Sequence, residues 1–128
     1  MSREKGLQFV REVKKLLQSM GHEVEGPGYA TKWFGGKVNA VHQDFFGVYD
    51  LFSYFGGRYI GHQVSTLANK SKKIKAIQEC GHTGWVWCRF DHSRRVGYRI
   101  FFTSPTEVTE GEVIWLGQGI RKGGNIDG

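Results

Sequence analysis

The stretch Asp44–Lys75, DFFGVYDLFSYFGGRYIGHQVSTLANKSKKIK, decides how the chain is read. It spells two strands joined by a Gly-Gly turn and followed by a basic helix. The first run, Val48 to Phe55, is rich in β-branched and aromatic residues, which suit a pleated, half-buried surface. Gly56-Gly57 supplies the positive φ angles of a two-residue hairpin. The second run, Arg58 to Ser65, carries Tyr59, Ile60 and Val64 and holds Gln63 near its end. One acid, Asp50, interrupts the otherwise apolar first strand. A carboxylate there is costly unless something compensates its charge, and a bound cation is one such partner.

Upstream, residues Ser2 to Met20 read as a helix. Val10, Val13, Leu17 and Met20 recur at three- and four-residue spacing, and Phe9 and Leu16 widen the stripe. Gly21 stands where a left-handed C-cap belongs. Arg11, Lys14, Lys15 and Gln18 fall on the polar side, and Glu12 lies on the flank beside Phe9 and Leu16. His22 to Glu25 reads as a short strand closed by Gly26-Pro27-Gly28, and Tyr29 to Phe34 as a second extended run ended by Gly35-Gly36. Lys37 to Gln43 reads either as a loop over a ligand, presenting Lys37, Asn39, His42 and Gln43, or as an ordinary connection.

Downstream, Asn69 to Cys80 is a helix with Ile74 and Ile77 facing inward and Lys70, Lys72, Lys73 and Lys75 crowding its surface. Gly84 to Phe90 alternates as a strand, with Val86, Cys88 and Phe90 on one face and Trp85, Trp87 and Arg89 on the other. Asp91 to Arg95 turns the chain. Val96 to Thr103 is the next strand, and Glu112 to Leu116 a short last one. The tail from Gly117 is glycine-rich and reads as loose. The expectation is an α/β fold, a single domain over residues 1–116 with a central mixed β-sheet flanked by helices.

The 128 residues suffice for one core without staples, and a formal charge of +6 points to an anionic partner, nucleic acid first. Lys70, Lys72, Lys73 and Lys75, with Arg11, Arg94 and Arg95, are the candidates for phosphate contact. Lysines on a helix are also the usual make-up of a solvated face. Two cysteines do not make a disulfide framework, and no long apolar run is present, so a reduced, cytoplasmic protein is expected, with no membrane partner. Cys80, His82, Cys88 and His92 have zinc-ligand types at an unfamiliar spacing, and a buried free cysteine accounts for Cys88 as well. Trp33, Phe34, Trp85 and Trp87 suit either base stacking or a dimer face.

The order of elements and the residues of the hairpin resemble the PD-(D/E)XK nuclease superfamily, nearest to the archaeal-type Holliday junction resolvases and related phage nucleases. The likeness runs from Lys5-Gly6-Leu7-Gln8 through Arg11-Glu12 to Gly21-His22-Glu23-Val24. It resumes at Val48–Phe52, crosses the Gly-Gly turn, continues through Tyr59–Ser65, and weakens after Cys80. The resemblance implies a restriction-endonuclease-like αβββαβ core. It also implies a divalent metal, Mg²⁺ or Mn²⁺, held by the acid of one strand and the acid of the next. A lysine two positions further helps the attacking water.

Carried onto this chain, Asp50 matches the first acid, Gln63 stands in the place of the second, and Ser65 in the place of the lysine. The metal ligands so implied are Asp50, Gln63 and Val64, with Asp44 as an extra acid. Gln63 keeps a carbonyl oxygen but loses a charge, and Ser65 carries no cation at all. Gln-Val-Ser-Thr resembles a phage nuclease variant in which a cation comes from the following helix, here Lys73 or Lys70. The resolvases' helix-1 glutamate falls in register on Val10, which leaves Glu12 as its substitute.

The function implied is a metal-dependent, structure-selective DNA endonuclease, a Holliday junction resolvase acting as a homodimer on branched or double-stranded DNA, with Asp50, Gln63, Lys73 and Glu12 as catalytic candidates. A nuclease-like fold that binds DNA without cutting it is the second reading, motivated by Gln63 and Ser65. An RNA-binding module using the basic and aromatic residues is the third.

Overall fold

The computed structural model describes residues 3–27, 29–34, 37–42 and 48–117. Helix α1 (Arg3–Ser19) leads into strand β1 (Glu23–Glu25), then β2 (Tyr29–Phe34) and β3 (Lys37–His42). The central hairpin follows as β4 (Leu51–Phe55) and β5 (Arg58–Thr66). Helix α2 (Lys70–Glu79), reached through a 3₁₀ turn at Leu67–Asn69, precedes β6 (Gly84–His92), β7 (Arg95–Thr103) and β8 (Val108–Trp115). Six of these strands form one mixed sheet in the order β1-β4-β5-β6-β7-β8, and β2 and β3 pair separately. All sheet neighbours are antiparallel except β5 and β6, which are parallel. A parallel pair needs a crossover, and α2 provides it. With the β2–β3 hairpin set aside, the chain runs α1, three antiparallel strands, α2 and a parallel fourth strand. This is the expected αβββαβ order within an α/β domain.

Each face of the sheet carries one helix because its strands are apolar on both sides. Val10, Val13, Leu16 and Leu17 of α1 bury against Leu51, Val64, Trp87, Tyr98 and Ile100. On the other face Ile77, with Ile74 beside it, packs with Val48, Tyr49, Val86, Cys88 and Phe101. The alternation expected of β6 is therefore observed, but both of its sides are interior. Met20, expected in the α1 stripe, is 42% exposed. The helix has already ended there: Gly21 (φ +96°) donates to Gln18 and His22 donates to Leu17, a Schellman stop that swings His22 inward. Gly81 ends α2 in the same way, through Gln78 and Ile77.

Element boundaries differ from expectation in four places; at one, the turn expected over Asp91 to Arg95 narrows to Ser93-Arg94, because Asp91 and His92 pair with Val96 and Arg95. Lys37 to His42 is a strand, paired residue by residue with β2 from Phe34↔Lys37 to Tyr29↔His42, so the segment is not a loop over a ligand. Gln43 lies outside the described residues. Strand β4 begins at Leu51 rather than Val48, because Asp50 spends its side chain on the ladder, as shown below. Strand β8 begins four residues before Glu112. Its exposed start, Val108-Thr109-Glu110, lies on the solvent-facing edge of the sheet, where the charge of Glu110 on the outer strand blocks further pairing. Among the described residues no helix is long and apolar enough to cross a membrane.

Candidate functional site

Asp50 and Gln63 meet across the central hairpin. The Asp50 N–H donates to the His62 carbonyl at 2.8 Å, and Asp50 Oδ2 accepts from the Val64 N–H at 2.9 Å. Asp50 therefore brackets Gln63 from the facing strand, by backbone on one side and by carboxylate on the other. The carboxylate takes the place of the strand carbonyl that would otherwise receive the Val64 N–H, which is why regular pairing starts only at Leu51. Gln63 is 5% exposed, and its Oε1 is the buried side-chain oxygen without a hydrogen-bond partner among the described residues. Leaving such an acceptor unmade costs roughly 1–3 kcal/mol. It is a carbonyl oxygen on the residue that Asp50 brackets, and of the hard donor type that Mg²⁺ and Mn²⁺ accept. Ser65, 1% exposed, donates its hydroxyl to the Thr66 carbonyl at 3.2 Å. No cation stands in its place.

Strands β5 and β6 are parallel, with Thr66 opposite Arg89, so the start of α2 and the β6–β7 turn lie at the Gln63 end of the sheet. In α2, Lys70 and Lys73 sit one turn before the inward Ile74 and Ile77 and are half-buried, whereas Lys72 and Lys75 are exposed. Lys70 Nζ lies 4.9 Å from the centroid of the Phe101 ring. Lys75 pairs loosely with Glu79 at 3.9 Å, both in solvent. At the β6–β7 turn Ser93 (φ 49°) and Arg94 (φ 66°) are left-handed, the backbone of a tight hairpin. Arg94 is exposed, and Arg95 stacks on Trp115 with its guanidinium 4.0 Å from the ring centroid.

Two of the expected partners are elsewhere. Glu12 lies on the α1 face, where Tyr98 Oη donates to its Oε1 at 2.7 Å and Arg89 Nε at 3.1 Å. Val64 packs on that face too, so the side chains of Gln63 and Ser65, its neighbours in β5, point to the opposite one. Burial first, then the Glu12 hydrogen bond, pushes the Tyr98 phenol up, so it stays protonated and keeps donating. Glu12 is thereby a structural acceptor and does not join the Asp50–Gln63 pair. Arg11, exposed on α1, is likewise away from the α2 lysines. Asp44 lies outside the described residues, as do Gly35, Gly36 and Gln43.

The mixed Cys/His set is not assembled. Cys88 is fully buried in mid-strand, His92 ends β6 against Trp115, and His82 stacks on Tyr49 with Cys80 exposed at the end of α2. Among the described residues no three His, Cys, Asp or Glu side chains are grouped to hold a metal. No family model matches the chain, and no curated protein or solved structure matches it either.

Two groups of residues escaped the sequence reading. Tyr49 lies flat over the backbone where β5 meets β6: a Cβ on Gly61 or Gly84 would come within 2.7 Å of its ring. Its hydroxyl donates to the Thr83 carbonyl at 3.2 Å, and burial pushes its pKa up to about 12. The second group is a buried polar chain on the α1 face. Trp87 Nε1 donates to His62 Nδ1 at 3.0 Å, His62 Nε2 meets Ser53 Oγ at 2.8 Å, and Ser53 Oγ meets His22 Nδ1 at 2.9 Å. An indole can only donate, so His62 accepts at Nδ1 and carries its proton on Nε2. That proton goes to Ser53, whose own hydroxyl proton then goes to His22 Nδ1. Every buried member is satisfied in this direction, and His22 is left with its proton on Nε2.

Proposed function

We propose that the protein is a metal-dependent DNA endonuclease selective for branched substrates, of the Holliday junction resolvase kind. The observation that carries this reading is the unpartnered, buried Oε1 of Gln63, the residue that Asp50 brackets across the hairpin. Asp50 and the Gln63 carbonyl oxygen would hold Mg²⁺ or Mn²⁺, with Val64 tying the carboxylate in place through its N–H rather than serving as a side-chain ligand. The cation would lower the pKa of water and neutralise charge on the scissile phosphate. The half-buried Lys73 and Lys70 would bring positive charge to the phosphate from α2, in place of the lysine that Ser65 replaces. Lys72, Lys75, Arg94 and Arg95 would contact the flanking backbone and add affinity without sequence preference. Glu12 has no part in this scheme.

A labelled four-way junction, incubated beside matched duplex and single strands with Mg²⁺, Mn²⁺ or EDTA, tests it. Paired nicks near the branch point are expected with the metals alone, and Asp50→Asn reduces their rate at least a hundredfold. Full cleavage by Asp50→Asn would overturn the mechanism. The burial of Ser65, with its hydroxyl already spent on Thr66, favours one alternative: a fold that grips junctions without cutting them. Tight binding with no product under every metal condition would select it.

A further inference from the structure

At the other end of the sheet, the turn of the β4–β5 hairpin closes over a cavity of about 380 Å³, lined by Met20, His22, Phe55, Arg58, Ile60 and Trp85 among others. This volume lies within the range of small-molecule sites. Phe55 is five residues from Asp50, about 17 Å along the strand, and Ile60 is three residues from Gln63, about 10 Å, with the cavity on the α1 face and the Gln63 side chain on the other. Its walls are mostly apolar and aromatic. Phe55 stacks on the His22 ring at 4.4 Å and is itself 46% exposed, and Trp85 meets His22 edge-on at 5.9 Å.

Two polar groups break that apolar lining. The first is His22, only 6% exposed, whose Nδ1 is taken by Ser53. The chain from Trp87 through His62 and Ser53 sets its tautomer, so Nε2 carries a proton. Nε2 has no partner among the described residues, and the ring lines this cavity. It is a fixed donor, held through three residues from three strands, Ser53 of β4, His62 of β5 and Trp87 of β6. The second group is Arg58, exposed beside the Gly56-Gly57 turn and paired with no acid among the described residues. An adjoining cavity of about 330 Å³ shares Arg58 and Trp85 and brings in the hydroxyl-bearing Thr83, Ser104 and Thr109 together with one acid, Glu107.

We propose that this cavity binds a nucleotide: a flat base against Phe55 and Trp85, an acceptor on its edge receiving the His22 Nε2–H, and a phosphate on Arg58. The ligand must be planar and aromatic to suit the walls, must offer an acceptor to a donor that cannot reverse, and must be anionic to pair with the guanidinium. The choice of a nucleotide among such ligands rests on the DNA reading above. The source is an unpaired nucleotide of a strand at a branch or a free mononucleotide.

Titration of the full chain with deoxynucleoside monophosphates and with short single-stranded oligonucleotides, followed through the His22 imidazole resonances, separates these sources. Binding is expected to shift the His22 Nε2 signal. Arg58→Gln should weaken it roughly tenfold, and His22→Phe, titrated by calorimetry because it lacks the imidazole, about fivefold, the losses expected for one charged and one neutral hydrogen bond. Oligonucleotide binding far tighter than mononucleotide binding identifies a strand site, and comparable affinities identify a free-nucleotide site. Read in EDTA with no junction present, this binding does not depend on a metal at Asp50. Binding without junction cleavage in the wild type would therefore remove the nuclease reading and keep this one. No shift at His22 with either ligand, or undiminished binding in Arg58→Gln, would overturn it.

Discussion

Individual side chains here divide into those whose role follows from the strand they sit on and those defined by distant partners. Asp50 and Gln63 are of the first kind. An acid inside an apolar run and an amide late in the next strand are visible in the string itself, and the hairpin between them fixes their meeting. Glu12 reads from the sequence as a flank acid in α1 and the substitute for the resolvases' helix-1 glutamate, but its partners Tyr98 and Arg89 lie 86 and 77 residues away, and no local pattern announces them. The His22–Ser53–His62–Trp87 chain is the same case: its members come from the end of α1, from β4, β5 and β6, and only the sheet order brings them together. Burial, then the neighbouring His22, lowers the His62 pKa to about 3 from 6.5. The unfolded chain thus takes up a proton that the folded one refuses between those two values, so stability falls as pH drops below about 6.5. Burial lowers His22 as well and adds in the same direction. His62 alone should remove about 2 kcal/mol between pH 7 and pH 5. Urea denaturation at the two pH values measures it. His62→Gln, less stable at pH 7, should show a much shallower dependence, and equal stability of the wild type at both pH values would refute the assignment.

Among the elements, α1 and α2 are legible because each has a helical period and a glycine stop, the β4–β5 hairpin because of its Gly-Gly turn, and β6 because of its alternation. Strand β3 was not: Lys37, Asn39 and His42 masked the β-branched Val38 and Val41, and its partner strand has no place in the main sheet. The start of β8 was hidden for a related reason, since an edge strand gains from being polar. Tyr49 shows how an element boundary can carry packing: it precedes β4, yet its ring is what forbids side chains at Gly61 and Gly84. Helix α2 is where charge is concentrated, and its lysines are not equivalent. Lys70 and Lys73 flank the half-buried Ile74 and the buried Ile77, while Lys72 and Lys75 face solvent. If the helix contacts phosphate as proposed, Lys72→Ala/Lys75→Ala should weaken junction binding and reduce the slope of log K against log salt by about 1–2. Cleavage at saturating protein should stay near the wild-type rate. Lys73→Ala should instead lower the saturated rate by tenfold or more with little change in salt slope. Fluorescence anisotropy across a salt series, beside single-turnover cleavage, distinguishes the two. Identical behaviour of the outward pair and Lys73 would show that α2 acts as undifferentiated charge.

At the scale of the whole molecule, the architecture followed from the order of elements: one helix, a run of strands, a crossover helix and a parallel return leave little choice but a mixed sheet with a helix on each face. What the order could not reveal is which end of the sheet carries which chemistry. The structure separates the Asp50–Gln63 pair, beside the start of α2 and the Arg94 turn, from the aromatic cavity at the hairpin tip. One copy presents a single Asp50–Gln63 pair, and resolving a four-way junction requires a nick in each of two opposed strands. The proposed activity therefore calls for a symmetric dimer, the commonest closed assembly, with each copy cutting one strand. A heterodimer of wild type and Asp50→Asn, assembled from differently tagged chains on a supercoiled cruciform plasmid, tests this directly. With one intact site, the first nick relaxes the cruciform before a second can follow, so the product should be nicked circle rather than linear DNA. Wild-type homodimer should give linear DNA. Linear product from the heterodimer would mean that one copy cuts both strands, and it would remove the need for two-fold symmetry.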